Sequence, residues 1–176
     1  MATSIGPSPE MYLKSLWELS SDGEPVGVAS VAARLGISPV SASEMIHRLE
    51  ERRLVQYQRY RGVRLTLLGL EHARSLIRRH RLWERFLTDE LGLPWESVHD
   101  LACELEHAAG AEVTEALADR LGQLSTCPHG NPIPTASGEI SLLPAASLAE
   151  LETQRSATVE RISPESGVLL SYLAER

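Results

Sequence analysis

The stretch VASVAARLGISPVSASEMIHRLEERRLVQYQRYRGVRLT, residues 28–66, decides the fold of the N-terminal part of the chain. Residues 28–35 are typical of a short helix that ends at Gly36. Ser38 and Pro39 then suit the N-cap and first position of a second helix. A helix, a short turn containing glycine and another helix together predict a helix-turn-helix.

A β-hairpin is predicted directly after the second of these helices. Residues 54–57 and 63–66 are typical of two short strands, and residues 59–62 of the turn between them. A hairpin at this position is the wing of a winged helix-turn-helix. Arg59 and Arg61 lie at its tip, where arginine suits contact with DNA phosphates.

The charge of the chain is unevenly distributed. Residues 1–85 contain 13 Lys and Arg against 9 Asp and Glu, whereas residues 86–176 contain 4 against 15. This asymmetry indicates an N-terminal module that faces nucleic acid, joined to an acidic domain with another task. On charge alone, a solvated basic face is an alternative.

The rest of the chain predicts further helices, a linker and a short tail. A helix over residues 8–19 precedes the helix-turn-helix. The later pattern predicts helices over 67–91, 95–109 and 111–121, a linker rich in Gly, Pro and Ser over 122–147, and in the tail a strand at 157–162 and a helix at 167–175.

Composition narrows the class of protein. The two cysteines, Cys103 and Cys127, are too few for a disulfide framework. We find no secretory signal and no apolar run long enough to span a membrane. These features predict a cytoplasmic protein with no membrane partner and no small-molecule substrate.

Potential metal ligands follow the helical period on two consecutive predicted helices. They are His80 and Glu84 on the first, and His99, Cys103, Glu106 and His107 on the second. Residues four apart share a helix face, so each set forms a stripe. Spacing alone allows either a metal site or polar residues at a helix interface. As ligands, this mixture of nitrogen, sulfur and oxygen suits Fe(II), Co(II), Ni(II) or Zn(II) better than Mg²⁺ or Ca²⁺.

Four segments give the chain a specific resemblance. They are EMYLK at residues 10–14, RHRLWER at 79–85, VHD through Cys103 to Glu106 and His107 at 98–107, and GNPIP at 130–134. Over about residues 8–135 the chain resembles the diphtheria toxin repressor family of bacterial metal-dependent transcriptional regulators, which includes iron-dependent regulators and manganese transport regulators.

The resemblance implies a mainly α fold in three parts. Residues 1–70 would form the winged helix-turn-helix, and residues 71–140 an all-helical metal-binding and dimerisation domain. Residues 141–176 would be a linker and an incomplete SH3-like segment, from a protein that is either naturally shortened or truncated. From that segment we expect no metal ligands.

The resemblance also implies two metal sites. Met11, Cys103, Glu106 and His107 match the primary site, to which the main-chain carbonyl of the cysteine also contributes. His80, Glu84 and His99 match the ancillary site. Members that respond to manganese typically have an acid in place of Met11 and Cys103. The softer donors here favour Fe(II) over Mn(II), and Co(II), Ni(II) or Zn(II) should substitute in vitro.

The implied function is an Fe(II)-activated repressor of metal-uptake genes, which binds a palindromic double-stranded DNA operator as a homodimer. The alternatives are a Mn(II)-dependent regulator, a winged-helix protein that needs no metal, and a metalloenzyme. For an enzyme the sequence lacks a His-Glu-x-x-His motif, a nucleophile elbow and a phosphate-binding glycine loop. The expected DNA contacts are Ser38, Pro39, Ser41, Ser43, Glu44, Arg48, Arg52, Arg59 and Arg61.

The chain departs from the iron-type pattern at two places. Cys127 stands where those members have a serine at an anion contact near the ancillary site, and His129 follows two residues later. We expect a loop thiol and an exposed imidazole here rather than extra ligands. Glu44 occupies a base-facing position where glutamine is frequent, and its carboxylate could accept a hydrogen bond from cytosine N4.

Overall fold

The computed structural model describes residues 7–20, 23–141, 144–163 and 165–176. Within these ranges the fold is mainly helical, as predicted, with one two-stranded sheet. In chain order the elements are α1 (Pro7–Leu19), α2 (Val28–Leu35), α3 (Pro39–Glu51), β1 (Val55–Gln58), β2 (Gly62–Leu65), α4 (Leu67–Asp89), α5 (Val98–Leu105), α6 (Ala111–Arg120), a 3₁₀ turn (Leu148–Glu150) and α7 (Gly167–Ala174).

The chain divides into two compact units, one up to Ile77 and one from Arg78 onward. The first contains the predicted winged helix-turn-helix. Gly36 is left-handed, with φ of 65°, and ends α2. The Ser38 hydroxyl accepts a hydrogen bond from the Ser41 N–H at 3.1 Å and caps α3. Strands β1 and β2 pair antiparallel with Val55 opposite Leu65.

A single apolar core holds the N-terminal unit together. Its fully buried members are Leu13, Val31, Ala42, Ile46, Leu49, Val63 and Ala73. The segment before α2 joins the sheet, because the N–H and carbonyl of Val26 bond those of Val63 at 2.7 and 2.8 Å. Gly62 allows this approach, since its φ is 116° and a Cβ would lie 2.3 Å from the Val26 carbonyl oxygen.

The C-terminal unit has a smaller apolar core, formed by Leu82, Leu117, Ala118, Leu121 and Ile133. Three arginines of α4 donate hydrogen bonds to backbone carbonyls of the loop after α6. Arg78 bonds the Pro134 oxygen at 2.8 Å, Arg81 the Pro132 oxygen, and Arg85 the Thr126 oxygen at 2.8 Å. The first part of the predicted linker is therefore a packed loop.

The tail differs from the prediction in one respect. Helix α7 forms where a helix is predicted, but residues 157–162 form no strand. Within the described ranges the segment finds no partner strand. Instead, the Ile162 N–H bonds the His129 carbonyl oxygen at 2.9 Å. None of the described helices is both long and apolar enough to cross a membrane.

Candidate metal centre and nucleic-acid face

Helix α4 places two of the predicted ligands on one buried face. His80 and Glu84 lie one turn apart, with 2% and 0% of their side chains exposed, and His80 Nε2 is 3.0 Å from Glu84 Oε1. Burying a carboxylate is costly unless it is paired. The i, i+4 spacing provides that partner and directs both groups toward α5.

Helix α5 brings the third predicted ancillary residue to the same place. His99 Nδ1 lies 3.1 Å from Glu84 Oε1 and 3.2 Å from His80 Nε2. The structure therefore brings together His80, Glu84 and His99, the three residues assigned to the ancillary site. Whether they bind metal remains a prediction.

The residues assigned to the primary site lie next to this group. The Cys103 sulfur is 4.0 Å from His80 Nδ1 and from His99 Nε2. Helix α5 ends earlier than predicted, so Glu106 is its C-cap and His107 lies in the turn beyond. Glu106 Oε2 is 2.6 Å from His80 Nδ1, and Glu106 Oε1 is 3.5 Å from His107 Nε2. His80 thus contacts ligands assigned to both sites.

Met11, the fourth residue assigned to the primary site, belongs to the N-terminal unit. It lies on α1 and is half-buried. Its role as a ligand stays a prediction that depends on the sequence resemblance.

Three further side chains join the cluster, and the sequence did not predict any of them as ligands. Cys127 and His129 were expected to be a loop thiol and an exposed imidazole, but both are buried, with 1% and 2% exposed. Glu165 comes from the tail, from which no ligand was expected, and its Oε2 lies 3.4 Å from His99 Nδ1. The Cys-x-His spacing was a weak signal for the first two. Glu165 gave none, because only the folded tail brings it close.

The ionisation of the cluster is shifted strongly. Burial alone would raise the pKa of Glu84, but the charge of His80 and hydrogen bonds from His129, His80 and His99 hold it well below its usual range. Burial likewise opposes ionisation of Glu165, yet hydrogen bonds from His129 and His99 lower its pKa to about 2. Both carboxylates are therefore charged at neutral pH.

The imidazoles and the second thiol shift in the opposite direction. Burial lowers the pKa of His99 and of His129, but hydrogen bonds to the neighbouring thiols and carboxylates outweigh it and raise each to about 12. Burial raises the pKa of Cys127 to about 11. Without a metal, protons on the imidazoles therefore balance the buried carboxylates, and a divalent cation would displace these protons.

The donor set fits a transition metal. Among the described residues, three overlapping groups have ligand atoms that all lie within 4.8 Å of one another: His80, His99 and Cys103; His80, Glu84, His99 and Glu165; and Glu84, Cys127, His129 and Glu165. Glu84 Oε2 is buried and has no hydrogen-bond partner in the described structure. Such an atom needs an explanation, and a cation provides one.

The predicted DNA contacts lie on the accessible side of the winged helix. Ser43 is half-buried, and the exposed residues are Ser38, Pro39, Ser41, Glu44, Arg48, Arg52, Arg59 and Arg61. At the tip of the wing the Arg59 guanidinium lies 4.9 Å from the centre of the Tyr60 ring. Helix α3 and the wing together present the exposed cations and hydrogen-bonding groups that DNA contact requires. The individual contacts stay predictions.

Comparison with known proteins agrees with both parts. Residues 4–63 match the family model of the iron dependent repressor N-terminal DNA binding domain, and residues 66–135 that of the iron dependent repressor metal binding and dimerisation domain. The diphtheria toxin repressor of Corynebacterium jeikeium (strain K411) is 37% identical over 172 residues, which cover 92% of this chain and 72% of the relative.

Two further relatives are as similar but name different metals. The iron-dependent repressor IdeR of Mycobacterium leprae (strain TN) is 39% identical over 71% of this chain, and the chain spans about half of its length, 54%. A solved structure described as a manganese-dependent transcriptional repressor in complex with manganese is 39% identical, with a TM-score of 0.85 over 95% of this chain and 77% of that one. These relatives are named as repressors, and none as an enzyme. The chain therefore belongs to the iron-dependent repressor family, the diphtheria toxin repressor family of metal-dependent, DNA-binding transcriptional regulators.

Proposed function

We propose that this chain is an Fe(II)-activated repressor of metal-uptake genes, which binds a palindromic DNA operator as a homodimer in the cytoplasm. The observation that carries the proposal is the buried cluster of imidazole, carboxylate and thiol groups on α4 and α5. Charged groups are buried at this density when they are paired or bind a metal. In a chain with a winged helix, such a cluster supports a metal sensor.

The sulfur donors favour iron over manganese. Cys103 lies among the imidazoles of His80 and His99, where its thiolate is a soft ligand. The resemblance adds Met11, whose thioether is also soft. Zn(II), Co(II) and Ni(II) share the preference for nitrogen and sulfur, so we expect them to substitute in vitro.

Manganese is the second candidate, and one observation favours it. The cluster contains three carboxylates, Glu84, Glu106 and Glu165, of which the first two are fully buried. Carboxylate oxygens are hard donors that suit Mn(II). In-cell selectivity also depends on geometry and metal availability, so the choice needs a direct comparison of the two ions.

In this proposal the residues of the cluster have two roles. Cys103, Glu106 and His107, completed by Met11, would hold the regulatory ion, and His80, Glu84 and His99 the ancillary ion. The ions would supply positive charge that replaces the imidazole protons beside the carboxylates. Their binding would bias the protein toward the state that binds DNA, as a ligand does when it prefers one of two states.

DNA recognition would use the exposed side of α3 and the wing. Arg48, Arg52, Arg59 and Arg61 suit phosphate contacts, and Ser41 and Ser43 suit positions near base edges. Glu44 is exposed near the start of α3, where a carboxylate accepts from cytosine N4 and repels phosphates. We therefore expect an operator with cytosine opposite this side chain.

Dimerisation would use apolar residues that the C-terminal unit leaves accessible. Leu117 and Leu121 pack in its core, whereas Leu101 and Val113 are exposed. The matching family model is named as a metal binding and dimerisation domain. We propose that a second copy covers Leu101 and Val113, so that two recognition helices meet the half-sites of a palindrome.

The test is operator binding as a function of the metal. A duplex is first selected from random DNA with the Fe(II)-loaded protein under anaerobic conditions. Fluorescence anisotropy then measures its Kd with Fe(II), Mn(II) or chelator at fixed salt. We expect tight binding with Fe(II), weaker binding with Mn(II) at equal free concentration, and weak binding with chelator. Cys103→Ala and Met11→Ala should each reduce the Fe(II) response by at least about 10-fold, if each is a ligand. Unchanged binding by both variants would contradict the proposed primary site.

A further inference from the structure

A group of four donors lies beside the ancillary residues and is not part of either site described above. Its members are Glu84 of α4, Cys127 and His129 of the loop after α6, and Glu165 just before α7. We propose that they form an additional, thiolate-containing site for a borderline divalent cation such as Zn(II), Co(II) or Fe(II). The proposal deepens the proposed function, because it extends the metal chemistry of the same unit.

The spacing of the four donors matches a metal site better than a hydrogen-bond network. His129 Nδ1 lies 3.4 Å from Glu84 Oε1 and 3.7 Å from Glu165 Oε1. The Cys127 sulfur lies 3.6 Å from Glu165 Oε1 and 3.9 Å from His129 Nδ1. Ligands of a tetrahedral cation with ordinary zinc bond lengths are separated by about 3.3–3.7 Å. Direct N–H···O bonds would be shorter, near 2.9 Å.

His129 is oriented as a ligating imidazole. Its Nε2 lies 2.8 Å from the carbonyl oxygen of Trp95, to which it donates its N–H. This bond directs Nδ1 toward Glu84, Cys127 and Glu165. A metal-binding histidine commonly donates its other N–H to a backbone carbonyl, which fixes the ring and its tautomer.

Glu84 provides independent evidence for a missing partner. The residue is fully buried, and its Oε2 has no hydrogen bond to any described residue. A buried carboxylate oxygen costs free energy unless it is satisfied. A cation between Glu84 and the neighbouring donors would satisfy it.

Glu165 is placed to connect the new site with the ancillary one. Its Oε1 faces Cys127 and His129, whereas its Oε2 lies 3.4 Å from His99. A carboxylate whose two oxygens face two donor sets can bridge two cations. The side-chain amide of Asn131 donates to Glu165 Oε1 and to the Ile162 carbonyl oxygen, which fixes Glu165 from the opposite side.

The site also has a route to solvent. A cavity of about 430 Å³ is lined by Trp95, Cys127, His129 and Ile162, among others. A cation could therefore reach the buried donors without unfolding of the unit, as a plausible metal site requires.

Cobalt absorption tests the proposal in a chain with one thiol. The sequence has two cysteines, so Cys103→Ser leaves Cys127 as the only possible thiolate ligand. Co(II) added to this variant should produce a thiolate-to-cobalt charge-transfer band in the near ultraviolet. The band should disappear in Cys103→Ser/Cys127→Ser and weaken or shift in Cys103→Ser/His129→Gln. His47→Gln in the same background should leave it unchanged, because His47 lies on α3 in the other unit.

Two results would overturn the proposal. The first is Co(II) binding by Cys103→Ser, measured by equilibrium dialysis, without a charge-transfer band. The second is a band that both Cys127→Ser and His129→Gln leave unchanged. If the Cys127→Ser protein does not fold by circular dichroism, the His129→Gln variant decides. The assay contains no DNA, so its failure is separate from failure of the repressor function.

Discussion

Glu84→Gln should destabilise the metal-free protein far more than a substitution at the surface. The carboxylate lies within 3.0–3.4 Å of nitrogen atoms of His80, His99 and His129, and none of its surface is exposed. Glutamine keeps the volume but removes the charge that these imidazoles face. Removing one partner of a buried ion pair typically costs about 3–5 kcal/mol. Because one amide oxygen can still accept a hydrogen bond, we expect a value near about 3 kcal/mol.

The assay is urea unfolding in excess chelator at pH 6, followed by tryptophan fluorescence. A Trp17→Phe background leaves Trp83 and Trp95, both in the C-terminal unit, as reporters. For a urea m-value of about 2 kcal/mol/M, the expected change lowers the unfolding midpoint by about 1.5 M.

A matched control separates the buried charge from any loss of carboxylate. Glu90 pairs with Arg120 at 2.6 Å, but the arginine side chain is 68% exposed. Such pairs contribute at most about 1 kcal/mol, so Glu90→Gln should leave the midpoint nearly unchanged. If Glu84→Gln and Glu90→Gln shifted the midpoint equally, the reasoning about a buried charge network would be refuted.

Three other predictions concern pH, salt and backbone. In chelator, raising the pH from 6.5 to 9 should lower the unfolding free energy, because the raised pKa of His129, about 12, contributes stability that is complete only below its unfolded pKa of 6.5; a flat profile would count against the charged imidazole. Arg59→Ala/Arg61→Ala should reduce the slope of log K for DNA against log salt by about 2, and an unchanged slope would exclude the wing as a phosphate contact. Gly130→Ala should destabilise by clearly more than Gly122→Ala in thermal melts: both have φ above 70°, but only at Gly130 would a Cβ lie 1.9 Å from a carbonyl oxygen of the tail. Equal melting temperatures would show that the tail does not pack there.

The sequence predicts the elements whose signals are local. Helix periodicity and the capping residues Ser38 and Pro39 indicate the winged helix, which the structure confirms. The same periodicity places His80 and Glu84 on one face, and His99 and Cys103 on another. Because α4 and α5 pack through these stripes, the ancillary group can be anticipated before any contact is known.

The remaining residues of the cluster could not be predicted, because they reach it through long-range contacts. A stretch rich in glycine and proline, such as 122–147, ordinarily indicates an exposed linker. Here Arg78, Arg81 and Arg85 bond its carbonyl groups, and this packing buries Cys127. No local pattern records such bonds.

The tail shows the same limit of local patterns. Residues 157–162 have a composition that suits a strand, but a strand needs a partner, and the segment instead lies along the loop that contains His129. That position brings Glu165 to the ligand cluster, 3.4 Å from His99.

Reciprocal coupling between metal and DNA tests the central claim most directly. Kd for the selected duplex is measured at zero and at saturating Fe(II), and Kd for Fe(II) is measured with and without saturating duplex. If occupancy of this cluster controls DNA binding, Fe(II) strengthens DNA binding by some factor and DNA strengthens Fe(II) binding by the same factor, as thermodynamic linkage requires. Equal DNA affinity at zero and saturating Fe(II), together with Fe(II) binding that ignores the duplex, would contradict a metal-dependent regulator.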